Sequence, residues 1–444
     1  MRGLVFALIF FGSLTTVFSY PFNGILLWYW ISIGNPHQLI YGFFEGLPYA
    51  MIVAIPTLLA WLISREPKAP PADATTITLS LLLIWISVTS IFALAPADDV
   101  YEKWLLSVKM FGMTIVSYTM LTNRWRLDAL IWVIVLSLGY FGLRGGVSAL
   151  MNGGAFLIRG PDNSMIADNN DIGVAFLMVL PLMFYLLHRQ KQKYLRLGLL
   201  GLIGLTTIAT FFTYSRGAFV AALFVGSMLW TKSSRKLLMV FPIVGAVAFA
   251  WYFAPPAWFA RMATIETHTD GSSQGRLYYW KVSFAMAQKR PIVGGGFHWL
   301  LYPGVLKREL ADEGLPDLSL SRAAHSIYFE MLGDHGFVGL GIFLSIIVVT
   351  WRNAGWVIRR TRRVKELVWA NELGRMVHVS LVAYCVGGTF ISFGMYDGFY
   401  ALVIVAAAAR RLVAQELRAA SPVAAAEPWR RPLRLPADVS PVPR

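Results

Sequence analysis

"RAAHSIYFEMLGDHGFVGLGIFLSIIVVTW", residues 322–351, reads as the head and body of a membrane helix. Its later part is apolar and uncharged, and about 20 such residues cross a ~30 Å hydrocarbon core. Its first turns hold His325, Glu330 and Asp334. Charge is costly in lipid, so the head of this helix belongs at a water-facing boundary. Similar stretches recur near 3–33 (broken at Pro21), 47–63, 75–95, 103–121, 128–147, 172–188, 195–213, 217–231, 237–254, 377–394 and 398–412. The expected fold class is an all-α polytopic membrane protein with about twelve transmembrane helices, each satisfying its own backbone groups. A hairpin in 3–33 makes the count thirteen and puts the N-terminus outside; one Pro-interrupted span keeps it cytoplasmic.

Composition agrees with that reading. The chain of 444 residues is 57% hydrophobic, with a mean hydropathy of +0.57, and only 14% is charged. Arg2 precedes an apolar run, but no A-x-A-like site follows and hydrophobicity resumes at Phe22, so no cleaved signal is expected. The single cysteine, Cys385, excludes a disulfide framework and a cysteine-rich metal site.

A net charge of +15 could point to nucleic acid, but its distribution points to topology. Basic loops hold Arg65 and Lys68, Arg124 and Arg126, Arg189 to Arg196, Lys232 to Lys236, and Arg352, Arg359, Arg360, Arg362, Arg363 and Lys365. They alternate with basic-poor loops at 96–102, 142–171, Tyr214–Gly217, 255–323 and 395–397, as the positive-inside pattern requires. The expected organisation is an N-terminal bundle over 1–254, one large periplasmic loop over 255–323, C-terminal helices over 324–412 and a disordered cytoplasmic tail over 413–444. That tail is rich in Ala, Pro and Arg and cannot bury enough apolar surface to fold.

A loop as long as 255–323 is uncommon without a function. Within it, "GRLYYWKVSFAMAQKRP" sets Leu277, Trp280, Phe284 and Ala287 against Lys281, Gln288 and Lys289, as in an amphipathic helix lying in the headgroup layer. "PIVGGGFHW" follows, without the preceding strand or the Lys-Ser/Thr of a phosphate loop; a flexible turn that brings backbone close to a ligand is expected instead. His268, His298, His325 and His335 lack metal-site spacing, and no metal or cofactor is expected.

Arg216, Arg276 and His325 are each ordinary alone: a snorkelling arginine, a lipid-facing charge and a helix-end histidine. All three are expected on one external face. Two fixed cations suit phosphate oxygens, and an imidazole exchanges a proton near neutral pH. Metal-free transfer from a diphosphate leaving group needs that combination. Glu330 lies about 140° round a helix from His325, which argues against a direct pair, while Glu330 and Asp334 share a face. Asp168, Asn169, Asn170 and Asp171 precede an apolar span; one helix cap accounts for part of this polarity and sugar hydroxyls for the rest. Arg159, Tyr214, Trp280 and Lys281 are further candidate substrate contacts.

"TYSRGAF", then "GR" with a tryptophan four positions on, then "PIVGGGF" and "AHSIYFEMLGDHGFVGL", together resemble the O-antigen ligase and polymerase superfamily over about 200–345. "GNPHQLIYGF" and "IADNNDIGVAFLMVLPLMFYL" resemble more narrowly the exosortase A-associated O-glycosylation ligases, which accompany PEP-CTERM and exopolysaccharide systems. The resemblance implies a GT-C-like enzyme of the bacterial inner membrane. It would pass a glycan from undecaprenyl diphosphate to a periplasmic protein, lipid or glycan acceptor, without metal or nucleotide. Carried over by motif, Arg216 and Arg276 grip the diphosphate and His325 is catalytic. Where many ligases have His-Asn, this chain has His325-Ser326, so any role of that amide is missing or falls to the serine hydroxyl. A repeat-unit polymerase uses the same donor and stays open. So does a flippase or exporter, which would tolerate loss of His325.

Overall fold

The computed structural model describes residues 2–40, 44, 46–232, 256, 258–259, 271–315 and 322–420. The span expected at 237–254 and His268 lie outside the described residues. Every regular element among those described is helical.

The chain opens with α1 (Arg2–Thr15) and α2 (Pro21–Gly34). Pro21 sits in the first turn of α2, where its missing N–H is no loss. Phe6 lies 5.7 Å from Trp30, ring to ring. In one continuous helix those residues would stand about 36 Å apart, so the single-span reading of 3–33 gives way to a hairpin. The rings of Phe6 and Phe10 meet Tyr49, the first residue of α3 (Tyr49–Ile63).

Next come α4 (Ala74–Ile91), α5 (Ala97–Met120) and α6 (Arg124–Met151), the last running well into the loop expected from residue 142. They are followed by α7 (Asn169–Arg189), α8 (Lys193–Phe211) and α9 (Arg216–Lys232). Beyond the undescribed stretch lie α10 (Gly271–Lys289), α11 (Pro303–Leu310), α12 (Ile327–Thr361), α13 (Val368–Gly387) and α14 (Asp397–Ala419). Six described helical stretches are long and apolar enough to cross a membrane: α4, α6, α7, α8, α12 and residues 365–390 around α13.

Central α7 is buried almost throughout from Ile172 to Leu187 and packs on α6, α8, α9 and α13. Apolar burial gives helices little drive to associate inside lipid, so close packing and polar ties have to hold them. α6 and α8 approach until a Cβ on Gly146 would fall 2.3 Å from the Leu205 carbonyl oxygen. Polar ties gather at the basic end. Arg126 grips Glu66 (2.8 Å), Tyr118 bonds Asp73, Arg410 bonds Asn353 (2.8 Å), Asn353 bonds Thr75 (3.0 Å) and Tyr185 bonds Asp128 (2.6 Å). The far end is one length of α4 away, about 27 Å.

α13 begins at Val368, before the span expected at 377–394, and regular structure ends at Phe390. The polar Asn371 depresses hydropathy there, yet its amide turns to α12 and bonds the Ile358 carbonyl (2.9 Å) and Thr361 hydroxyl (3.1 Å). α14 continues past Leu412 to Ala419, so the first residues of the expected tail are helical. Residues 421–444 lie outside the described residues.

The long loop carries a hydrophobic core of its own. Tyr279, Val282 and Met286 of α10 are buried against Trp299, Leu306 and Leu310. Of the face expected to lie in the headgroup layer, Leu277 and Phe284 are 50% and 43% exposed, while Ala287 is buried.

α12 is not one rod, because Gly336 has φ 68 and ψ −173, a conformation nearly confined to glycine. Tyr328 bonds the Cys385 carbonyl (2.9 Å), whereas Trp351 stacks on His378 (3.9 Å). Along a straight helix residues 328 and 351 would stand about 34 Å apart, but their partners on α13 span only about 10 Å. The segment before Gly336 therefore lies across the end of α13 and does not extend the axis. The break exposes carbonyls, and Gly294–Gly296 satisfies them: Gly295 N–H donates to the Gly333 carbonyl (2.8 Å) and Gly296 N–H to Asp334 (2.9 Å). Phe337 N–H in turn donates to Pro291 (2.9 Å). The glycine turn approaches this helix break closely, where the sequence pointed to a ligand. Thr89 bonds the His335 ring (2.7 Å) and Trp85 its carbonyl (3.0 Å), fixing the break to α4.

Gly336→Ala puts a Cβ 2.4 Å from the Ile292 carbonyl oxygen in a disfavoured conformation. It should cost about 2 kcal/mol or more in detergent unfolding. Gly341→Ala, where a Cβ meets nothing within 4 Å, should change little.

Candidate active site

Residues ahead of α12 form an irregular segment, and His325 stands in it, two places before the first helical residue. The expectation that His325 begins the helix is thereby corrected. Its φ of 47 is left-handed, which costs a side-chain-bearing residue on the order of 1 kcal/mol. Two neighbours hold this backbone. His325 N–H donates to the Ser392 hydroxyl (3.0 Å), and the Trp280 indole N–H donates to the Ala324 carbonyl (3.1 Å). The Trp280 ring also stacks on Phe329 at 5.1 Å and 11°. Ser392 belongs to the turn after α13, so the α12 head lying across α13 is what brings His325 to it.

The imidazole reaches solvent, yet protein packed around it lowers its pKa. Arg276 and Arg322 add to the lowering and Asp168 opposes it. The lowering favours the neutral imidazole, the form able to accept a proton.

Arg276 and Trp280 are one turn apart on α10, so the helix that holds the histidine backbone also carries a guanidinium beside its ring. Arg276 acts as well on Asp171, in the first turn of α7. Arg216 is the first residue of α9 and is buried, 9% exposed. Ser215 ahead of it accepts from Ala218 N–H (3.1 Å), capping the helix. Gly217 touches Phe390, two residues before Ser392, and Gly173 of α7 sits against Ala218. α7 and α9 thus both begin here, each presenting the positive end of its dipole.

Several expected substrate contacts are engaged within the protein. Asn169 donates its amide to the Thr213 carbonyl (2.7 Å), and Tyr214 its hydroxyl to the Gly154 carbonyl (2.8 Å), locking the turn before Arg216. Asp168 caps α7 through Asn170 N–H (2.8 Å) and the Asn170 amide (2.7 Å), while its charge reaches His325. Trp280 supports backbone. Arg159 and Lys281 stand exposed and share no hydrogen bond or ion pair with this cluster among the described residues. Glu330 accepts from Gly394 N–H (3.0 Å) and Asp334 from the Trp299 indole (3.1 Å). Burial lowers the His298 pKa, with Lys103 adding to the effect. Among the described residues no three His, Cys, Asp or Glu side chains gather closely enough for a metal ion.

Sequence reasoning missed Arg322, Lys103 and Ser392. Arg322 could have been found, three places before His325 in the quoted stretch. Lys103 acts on Glu330 and Asp334 from α5, and Ser392 is 67 residues from His325, so neither leaves a local signal.

Residues 197–344 match the O-antigen ligase family, and residues 1–191 match a family of unknown function, DUF5935. No curated protein matches the chain. Six described helical stretches long and apolar enough to cross a membrane mark the chain as a multi-pass membrane protein, and its residues 197–344 are similar to the O-antigen ligase family. Arg216, Arg276 and His325 fall in the ligase region and Asp168 in the other, and α7 joins the two by packing on α8 and α9.

Histidine-selective NMR should find His325 titrating below 6.5. Arg276→Gln removes a repelling cation and should raise that value. Asp168→Asn keeps a capping side chain, removes an attracting anion and should lower it.

Proposed function

We propose that this protein is a metal-independent glycosyltransferase of the bacterial inner membrane, passing a glycan from undecaprenyl diphosphate to an acceptor hydroxyl on the periplasmic side. The observation that carries this reading is the tie of the His325 segment, through the Trp280 indole on the Ala324 carbonyl, to the helix that carries Arg276 one turn earlier, within the region matching the O-antigen ligase family. His325 takes the acceptor proton as the acceptor oxygen bonds to the anomeric carbon. The bond from that carbon to the diphosphate oxygen breaks, the electron pair leaves with the diphosphate, and inversion results. Arg276 and Arg216 hold the departing charge, aided by the α7 and α9 N-termini. The imidazolium then returns its proton to solvent.

The donor would come from lipid and the acceptor from water, which is why the site belongs at the membrane boundary. An apolar groove of about 180 Å³ between α12 and α13, from Cys385 to Trp351, offers space for the carrier's hydrocarbon tail. Cys385 is tied to Tyr328, three residues after His325. The positive-inside pattern of the basic loops would put those loops in the cytoplasm and this site outside. The acceptor is a protein, a lipid or a growing glycan. Product on protein or lipid A marks a ligase of the O-glycosylation kind, and lengthened carrier-linked glycan marks a polymerase.

Purified protein with a defined undecaprenyl-diphosphate glycan tests the reading. His325→Ala, Arg216→Ala and Arg276→Ala should each lower turnover about a hundredfold or more. Normal product from all three would contradict the mechanism. Because a neutral imidazole is the active form and its pKa is lowered, transfer should persist through neutral pH and fall only as pH drops below 6.5.

A further inference from the structure

We infer that Trp280 and Ser392 are positioning residues that hold His325 in its left-handed conformation, and that Trp280 ties the base to the same helix face that carries Arg276. This rests on the reading of His325 as the base.

The segment ahead of α12 lacks helical hydrogen bonds of its own, and a histidine at φ 47 tends to relax toward negative φ. Only contacts from elsewhere can oppose that. Two hydrogen bonds among the described residues fall at the ends of one peptide unit here: Ala324 accepts from Trp280 and His325 donates to Ser392. Together they fix the plane of the peptide preceding the imidazole, and hence where its ring points.

Trp280 has a second anchor in its stack on Phe329, which belongs to the α12 head. Its ring is therefore set before its N–H meets Ala324. Arg276 lies one turn earlier on α10, so the spacing between guanidinium and imidazole is set by a rigid turn of helix and one indole. Displacement at the anomeric carbon needs base and leaving group at a fixed separation on opposite sides of the carbon, and small misplacement is expensive. Trp280, read from sequence as a substrate contact, works on this account through the histidine.

Trp280→Phe keeps a ring on Phe329 and deletes the donor; Ser392→Ala deletes the acceptor, and Ser392→Thr restores a hydroxyl. With purified protein and the undecaprenyl-diphosphate donor, the first two should each lower kcat about three- to tenfold. The donor KM and the unfolding temperature should stay at wild-type values. Ser392→Thr should recover most of kcat, and Gln288→Ala, exposed further along α10, should match wild type. Unchanged kcat in both deletions, beside an inactive His325→Ala, overturns the positioning role and leaves the glycosyl-transfer reading standing. A loss that follows a lowered unfolding temperature and vanishes on cooling also overturns it. Full transfer by His325→Ala removes the base reading and this inference with it.

Discussion

The break in α12 at Gly336 is the constraint on which the rest of the site depends. A helix carrying charge at its head could have continued straight out of the lipid, leaving His325 well clear of the bundle. Breaking the helix lays its head across α13 and brings His325 to the turn that contains Ser392. A broken helix strands carbonyls, and stranded carbonyls near lipid are costly. Three consecutive glycines meet that demand because only a backbone without side chains comes close enough to donate to Gly333 and Asp334. The glycine turn, the break and the histidine segment form one structural unit.

Unusual backbone recurs around this unit. Tyr214, His298 and His325 are all left-handed: two residues before Arg216, two residues after the glycine turn, and at the proposed base. Such conformations persist only where surroundings over-determine them. Here the surroundings are visible for two of the three. Tyr214 is held through its hydroxyl on Gly154, and His325 through Ser392 and Trp280.

The two ends of the bundle divide the polar work. At the basic end, arginines pair with Glu66, Asn353 and backbone carbonyls, tying helices that lipid alone would not hold together. At the other end, protein packed around His325 lowers its pKa, with Arg276 and Arg322 adding to the effect and Asp168 opposing it.

Hydropathy period alone made the helical, membrane-spanning class legible, since about 20 apolar residues in a row have few other uses. Charge alternation gave the two ends, and residue chemistry singled out Arg216, Arg276 and His325. What the sequence could not give depends on contacts between distant segments. The α1–α2 hairpin rests on Phe6 meeting Trp30, and the early start of α13 on Asn371 turning to α12. The glycines of 294–296 read as a ligand loop because the helix break they serve is about forty residues away and shows in sequence only as one more glycine. Asn169, Tyr214 and Trp280, expected as substrate contacts, each hold a backbone carbonyl as well, which a polar side chain in a sequence does not reveal. Residue identity fixed what chemistry was available; the tertiary packing decided which groups were engaged in holding the fold and which stayed open.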